Sequence, residues 1–178
     1  MKQLVEVMFS EANIQDRIDQ IAKEIVEHYK LLKDDLVLIG ILKGAFIFLA
    51  DLCRKIHIPH KIDFMTVSSY DNGIISTHNI NIINDLREDV RDKHLLIVED
   101  IIDSGYTLKQ LYKILESRDP KSIAICTLLN KPSRREVEVP VSWIGYSIQD
   151  EFVFGYGIDY AQQYRYLPYI GHFVFLDN

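Results

Sequence analysis

Residues 36–42, LVLIGIL, are apolar throughout, and so are 95–98, LLIV, and most of 122–129, SIAICTLL. Apolar runs of this length without alternation suit strands that are covered on both faces. The first run gives way after Lys43-Gly44 to a helical spacing over 45–56, carried by Phe46, Leu49, Ala50, Cys53 and Ile56. The second is followed by a turn over 99–105. Leu108, Leu111, Tyr112 and Leu115 then mark one helix face, which Pro120 helps to end. Upstream, Ile14, Ile18, Ile21, Ala22, Ile25 and Tyr29 lay an apolar stripe on a helix over 11–31. Ser10 is placed to cap that helix, although Asn13 is not the Glu or Gln of a full capping box. Shorter β-like runs lie at 63–68, 141–146, 152–156 and 172–176.

Strands alternating with helices predict an α/β fold: a mostly parallel central sheet flanked by helices. Ligands of such sheets bind beyond the carboxyl ends of the strands. Lys43-Gly44, Glu99–Thr107 and Lys131 all fall on that edge. Residues 68–91 break the pattern, being polar, rich in Asn and Ser and only partly alternating. A lid over the site and an exposed hairpin both fit such an insert.

Size and composition narrow the classes. At 178 residues, 48% apolar and 26% charged, one globular domain over 1–178 is expected. No apolar run is long enough to span a bilayer, so no membrane partner is expected. The first fifteen residues lack the apolar block of an export signal, which points to a cytoplasmic protein. Cys53 and Cys126 lie in apolar surroundings without a C-x-x-C spacing and read as free thiols. A formal charge of −6 with dispersed basic residues argues against nucleic acid as a partner.

The chemistry concentrates in 95–111, LLIVEDIIDSGYTLKQL. Glu99 and Asp100 are adjacent at the end of a buried strand, and like charges there call for a compensating partner. Asp103-Ser104-Gly105-Tyr106-Thr107 then opens a helix. Backbone N–H groups at such a start, together with the helix dipole, suit a phosphate. The turn alone is better explained by capping, with Asp103 or Ser104 as N-cap and Gly105 for a tight turn. The acid pair is not, and it shifts the balance towards a hydroxylated, phosphorylated ligand with Mg²⁺. No P-loop, G-x-G-x-x-G, zinc-binding histidine set or G-x-S-x-G occurs.

LLIVEDIIDSGYTL strongly resembles the ribose-phosphate loop of type I phosphoribosyltransferases. ILKGAFIFLADL, the Ser-Ser-Tyr of the polar insert, LLNKPSRR and DEFVFGYGIDYAQQYRYLPYIG extend the likeness over nearly the whole chain. The last two motifs resemble the members acting on 6-oxopurines, the hypoxanthine-guanine group. That resemblance implies a type I phosphoribosyltransferase fold with a small hood and a mobile loop. It implies transfer of phosphoribose from 5-phosphoribosyl-1-pyrophosphate to hypoxanthine or guanine, with Mg²⁺ as cofactor and a homodimeric or homotetrameric state. A regulatory RNA-binding relative with the same fold is the alternative.

Residue by residue, the resemblance implies Asp103 as general base and Asp103, Ser104, Gly105, Tyr106 and Thr107 as the 5′-phosphate loop. Glu99 and Asp100 match the pair serving ribose and metal, and Asp159 a further acid near both purine and metal. Lys131, Phe152 and Val153 match the purine contacts. Lys43, Gly44 and Arg165 match the pyrophosphate contacts, and the Leu42–Lys43 peptide can be cis. Ser69 and Tyr70 match the mobile loop. Phe154, Asp71 and Asn81 depart from the pattern, where a smaller Val, a Gly and a basic residue are usual.

Overall fold

The computed structural model describes residues 2–32, 35–69 and 80–176. In chain order the elements are β1 (Lys2–Phe9), α1 (Glu11–Tyr29), β2 (Leu36–Leu42), α2 (Phe46–Lys55), β3 (Lys61–Ser69), β4 (Ile80–Asn84) and β5 (His94–Ile102). There follow α3 (Tyr106–Glu116), β6 (Ser122–Asn130), a 3₁₀ turn (Pro132–Arg134), β7 (Trp143–Ser147), β8 (Val153–Phe154) and β9 (Ile170–Leu176). Six strands form one sheet in the order β4-β3-β2-β5-β6-β7. All its pairings are parallel except β3 with β4.

The unbroken apolar runs are explained by two cores. Leu36 and Leu38 of β2, Leu96 and Val98 of β5, and Cys126 and Leu128 of β6 face a core shared with α1 and α2. Their neighbours Val37, Ile39, Leu95, Ile97 and Ile125 face the other, shared with Leu108, Leu111 and Leu115 of α3. Successive strand side chains point to opposite faces, so both parities must be apolar when both faces are covered. Gly40 interrupts β2 because a Cβ there would sit 2.6 Å from Leu49 Cδ2. The stripe expected on the first helix is buried in full, and the helix ends at Tyr29. Its capping box does close: Asn13 N–H donates to Ser10 Oγ at 3.2 Å and Ser10 N–H to Asn13 Oδ1 at 3.3 Å. A shorter amide does here what Glu or Gln usually does.

Three differences from the sequence reading bear on the site. First, β5 runs on to Ile102, so Glu99 and Asp100 belong to the strand rather than to the turn. The cause is β6, which pairs with it as far as Ile102↔Asn130. Second, β4 lies antiparallel to β3, with Ser69 opposite Ile80, so the polar insert returns along the sheet edge. Tyr70 and Asp71 lie outside the described residues. Third, β1, which local pattern did not reveal, joins β9 and β8 in a separate antiparallel sheet. This small sheet is the expected hood. Phe9 at the end of β1 stacks on Tyr146 of β7 at 4.0 Å and ties the hood to the main sheet.

Candidate active site

The main sheet runs outward from β2 to β3 on one side and from β5 through β6 to β7 on the other. The direction of winding reverses between β2 and β5, which opens a crevice at their carboxyl ends. The turn after β2 and the acids of β5 meet there. Gly44 is packed so closely that an added Cβ would lie 1.6 Å from Asp100 Oδ2. On its other side, a Cβ on Gly157 (φ +97°) would lie 2.4 Å from the Gly44 carbonyl oxygen. The Leu42–Lys43 peptide is cis, and the Lys43 side chain is exposed.

Glu99 and Asp100 are both half-buried. The Asp100 N–H donates to Glu99 Oε1 at 3.1 Å, and the Ile101 N–H to Asp100 Oδ1 at 2.8 Å. Burial, with the Asp100 charge beside it, pushes the Glu99 carboxyl well above the usual carboxylate range. This is the signature of a pair that a cation or a hydroxylated ligand would relieve. Glu99, Asp103, Ser104, Gly105 and Thr107 line one cavity of about 240 Å³, roofed by Ile41 and Val67.

The turn into α3 settles the question of capping. Its N-cap is Gly105, in the left-handed region at φ +91°, with no side-chain cap hydrogen bond. Asp103 and Ser104 are therefore not capping groups. Gly105, Thr107 and Leu108 of this first turn line the cavity, at the end of the helix whose dipole suits an anion. Behind the loop, the Ser104 carbonyl accepts from the N–H groups of Glu136 at 3.0 Å and Val137 at 3.3 Å. Arg135 bonds to Asn130 and approaches Gly105, so the stretch after Lys131 buttresses the turn.

The purine-side candidates come from three places. Lys131 closes β6, its N–H donating to the Ile102 carbonyl at 3.0 Å, and its side chain is largely buried. Phe152 is 63% exposed, with its ring edge-on to Tyr160 at 5.3 Å, whereas Val153 is buried in β8. Asp159 is turned towards Arg165, whose Nη2 lies 2.6 Å from its Oδ1. Arg165 Nη1 also donates to the Gly157 carbonyl at 2.7 Å. Asp159 is thus paired with Arg165. Among the described residues, no three His, Cys, Asp or Glu side chains are gathered closely enough to hold a metal ion by themselves.

Two groups that the motif reading passed over complete the frame. Gly157 supplies the close approach to Gly44, and its neighbour Tyr156 is anchored from below. The Tyr156 hydroxyl donates to Asp51 of α2, which also accepts from Gln15 Nε2 at 2.7 Å and from Arg54. Burial alone would raise the Asp51 carboxyl; the three donors outweigh it and hold Asp51 below its ordinary value. The Gly-Tyr-Gly triplet at 155–157 was the available signal, since all three residues have positive φ. Phe154 fills a cluster with Phe173 at 4.4 Å and Tyr164 at 5.1 Å, which accounts for a large ring at that position. Asn81 sits in β4 opposite Ser68.

Comparison with known proteins agrees with this geometry. Residues 9–161 match the family model of the phosphoribosyl transferase domain. The chain is 58% identical, over the full length of both, to a hypoxanthine phosphoribosyltransferase of Salmonella typhimurium, and 59% identical to one of Escherichia coli. It is 45% identical to a hypoxanthine-guanine phosphoribosyltransferase of Dictyostelium discoideum, covering 93% of each chain. A crystal structure of a hypoxanthine phosphoribosyltransferase from Staphylococcus aureus superposes with a TM-score of 0.89 at 43% identity. The match covers 94% of this chain and 90% of that one.

Proposed function

The chain belongs to the phosphoribosyltransferase family, with the type I fold, and from that premise we propose how its site works. It is a hypoxanthine(-guanine) phosphoribosyltransferase of purine salvage. The bond from ribose C1′ to the pyrophosphate oxygen of 5-phosphoribosyl-1-pyrophosphate breaks. A bond from C1′ to N9 of the 6-oxopurine forms, and pyrophosphate leaves.

In this reading the loop of Ser104, Gly105, Tyr106 and Thr107 at the start of α3 holds the 5′-phosphate. Glu99 and Asp100 take the ribose hydroxyls. Asp103, exposed at the cavity rim, accepts the proton that the purine must lose, a contribution of about 10²–10⁴ in rate. Lys131 donates to the 6-oxo oxygen, Phe152 stacks on the base and the Val153 backbone meets its edge. Lys43, the Gly44 backbone and Arg165 receive the pyrophosphate, with Asp159 holding Arg165 in place.

Glu99 and Asp100 suit Mg²⁺, a hard cation that is commonly bound through one or two carboxylates plus substrate oxygens. When bound, it would supply charge neutralisation for the departing pyrophosphate, while Asp159 would act through Arg165. The whole chain acts as one domain. A homodimer or homotetramer accords with the exposed apolar side chains Phe46, Ile62, Phe64 and Tyr166. A cytoplasmic setting accords with the free thiols of Cys53 and Cys126.

The uncapped turn at Gly105 beside the acid pair carries this assignment of roles most directly. The test is kcat/KM for hypoxanthine, guanine, xanthine and adenine with 5-phosphoribosyl-1-pyrophosphate and Mg²⁺. Turnover of hypoxanthine or guanine with little of adenine is expected. Absence of turnover with every base, alongside tight and salt-sensitive RNA binding, would instead favour the regulatory alternative.

A further inference from the structure

One carboxylate next to the site has no part in the roles assigned above. Asp150 lies in the connection between β7 and β8, two residues before Phe152. Its Oδ1 is 3.7 Å from Lys131 Nζ, and its Oδ2 is 3.7 Å from Arg134 Nη1. Arg134 Nε in turn lies 3.4 Å from Asp103 Oδ1. The 3₁₀ turn explains the convergence: Arg134 N–H donates to the Lys131 carbonyl at 3.1 Å, and residues three apart in such a turn project to one side. Both cations therefore reach the same acid.

We propose that Asp150 is a positioning residue for purine specificity. It aims the Lys131 ammonium at the place where the base oxygen sits, and through Arg134 it joins the purine contact to Asp103. The geometry favours aiming over sequestration. The Lys131 side chain is 10% exposed and that of Asp150 53%, so the lysine is enclosed while its counter-ion stays at the rim. At 3.7 Å the attraction fixes the direction of the ammonium without a tight hydrogen bond, and its N–H groups remain free for a ligand oxygen. A flexible four-carbon stem in an enclosed site needs such a fixed charge to hold one geometry. Selection of an oxygen over an amino group depends on the donor being held there.

The inference rests on the reading of Lys131 as the 6-oxo contact, and its test separates the two. Asp150→Asn should raise KM for hypoxanthine roughly 3- to 10-fold, the size expected of a partly screened ion pair. It should lower the preference for hypoxanthine over adenine by a similar factor. KM for 5-phosphoribosyl-1-pyrophosphate and Tm should stay as in the parent. Asp150→Glu should recover part of the loss. In a Lys131→Ala background, Asp150→Asn should have no further effect on the preference, because the two act as one unit. An unchanged preference in Asp150→Asn, with a changed one in Lys131→Ala, overturns the proposal alone. An unchanged preference in Lys131→Ala overturns the reading of Lys131 itself. Equal losses for both substrates together with a lower Tm would make Asp150 a structural residue and also overturn the proposal.

Discussion

The two sides of the crevice are built by opposite means. The proposed phosphate side is a single stretch, Glu99–Thr107, in which strand, turn and helix start follow each other along nine residues. The proposed purine side is assembled from Lys131 at the end of β6, Phe152 and Val153 at β8, and a hood whose β1 and β9 are far apart in sequence. The first side owes its geometry to local backbone, the second to packing between distant segments. Local geometry should tolerate loss of a side-chain function without loss of stability, whereas packed geometry should show both together.

The largest expected effect tests the local side. Asp103→Asn should lower turnover by at least about 10²-fold while leaving Tm and affinity for 5-phosphoribosyl-1-pyrophosphate near those of the parent. Single-turnover kinetics beside a melting curve decide this; full turnover removes Asp103 from the reaction. Next comes Gly44→Ala. Its Cβ would fall on Asp100, so loop or acid must move, and displacements of this kind cost about 10²-fold in kcat/KM. An active Ala variant would show that the contact of Gly44 with Asp100 is not needed for catalysis.

Phe154→Ala probes the packed side. Emptying the cluster with Phe173 and Tyr164 should cost about 3–5 kcal/mol of stability and raise KM for the purine more than for the phosphoribosyl donor. Equal rises would erase the contrast between the two sides. Asp51→Asn should have a smaller effect, about 1–3 kcal/mol, because Tyr156 and Gln15 lose a charged acceptor. Its pH dependence has a definite sign. The Asp51 carboxyl is held below its ordinary 3.8, so its contribution is complete above that pH and fades as the pH falls below it. Denaturation of parent and variant should therefore differ at pH 7 and converge in strong acid. Smallest is Asn13→Ala, which opens the capping box for about 0.5–2 kcal/mol without altering kinetics.

The same contrast explains what could be read from sequence. Buried parallel strands announce themselves by runs such as LVLIGIL, and the first helix by its stripe, because both patterns repeat over adjacent residues. The acid pair and the turn were visible together for that reason. The strand through Glu99 and Asp100 was read short because charges end an apolar run, while hydrogen bonds to β6 do not depend on side-chain polarity. β1 was missed because its partner is β9, and no local pattern records a pairing such as Lys2↔Leu176. The contact of Gly157 with Gly44 leaves only the Gly-Tyr-Gly triplet as a hint and no sign of its partner, since it joins two backbones. The anchor on Asp51 is silent for a related reason: its tyrosine lies 105 residues away.

The pairing of β1 with β9 also sets an order of events during synthesis. A ribosome that has released residues up to the end of β7 has supplied every strand of the main sheet and the whole of Glu99–Thr107. β1 must still wait, its hydrogen-bonding edge open, until Ile170–Leu176 emerges to pair with it. In the proposed reading, the segment assigned to the sugar phosphate is thus synthesised in full before the last strand of the hood.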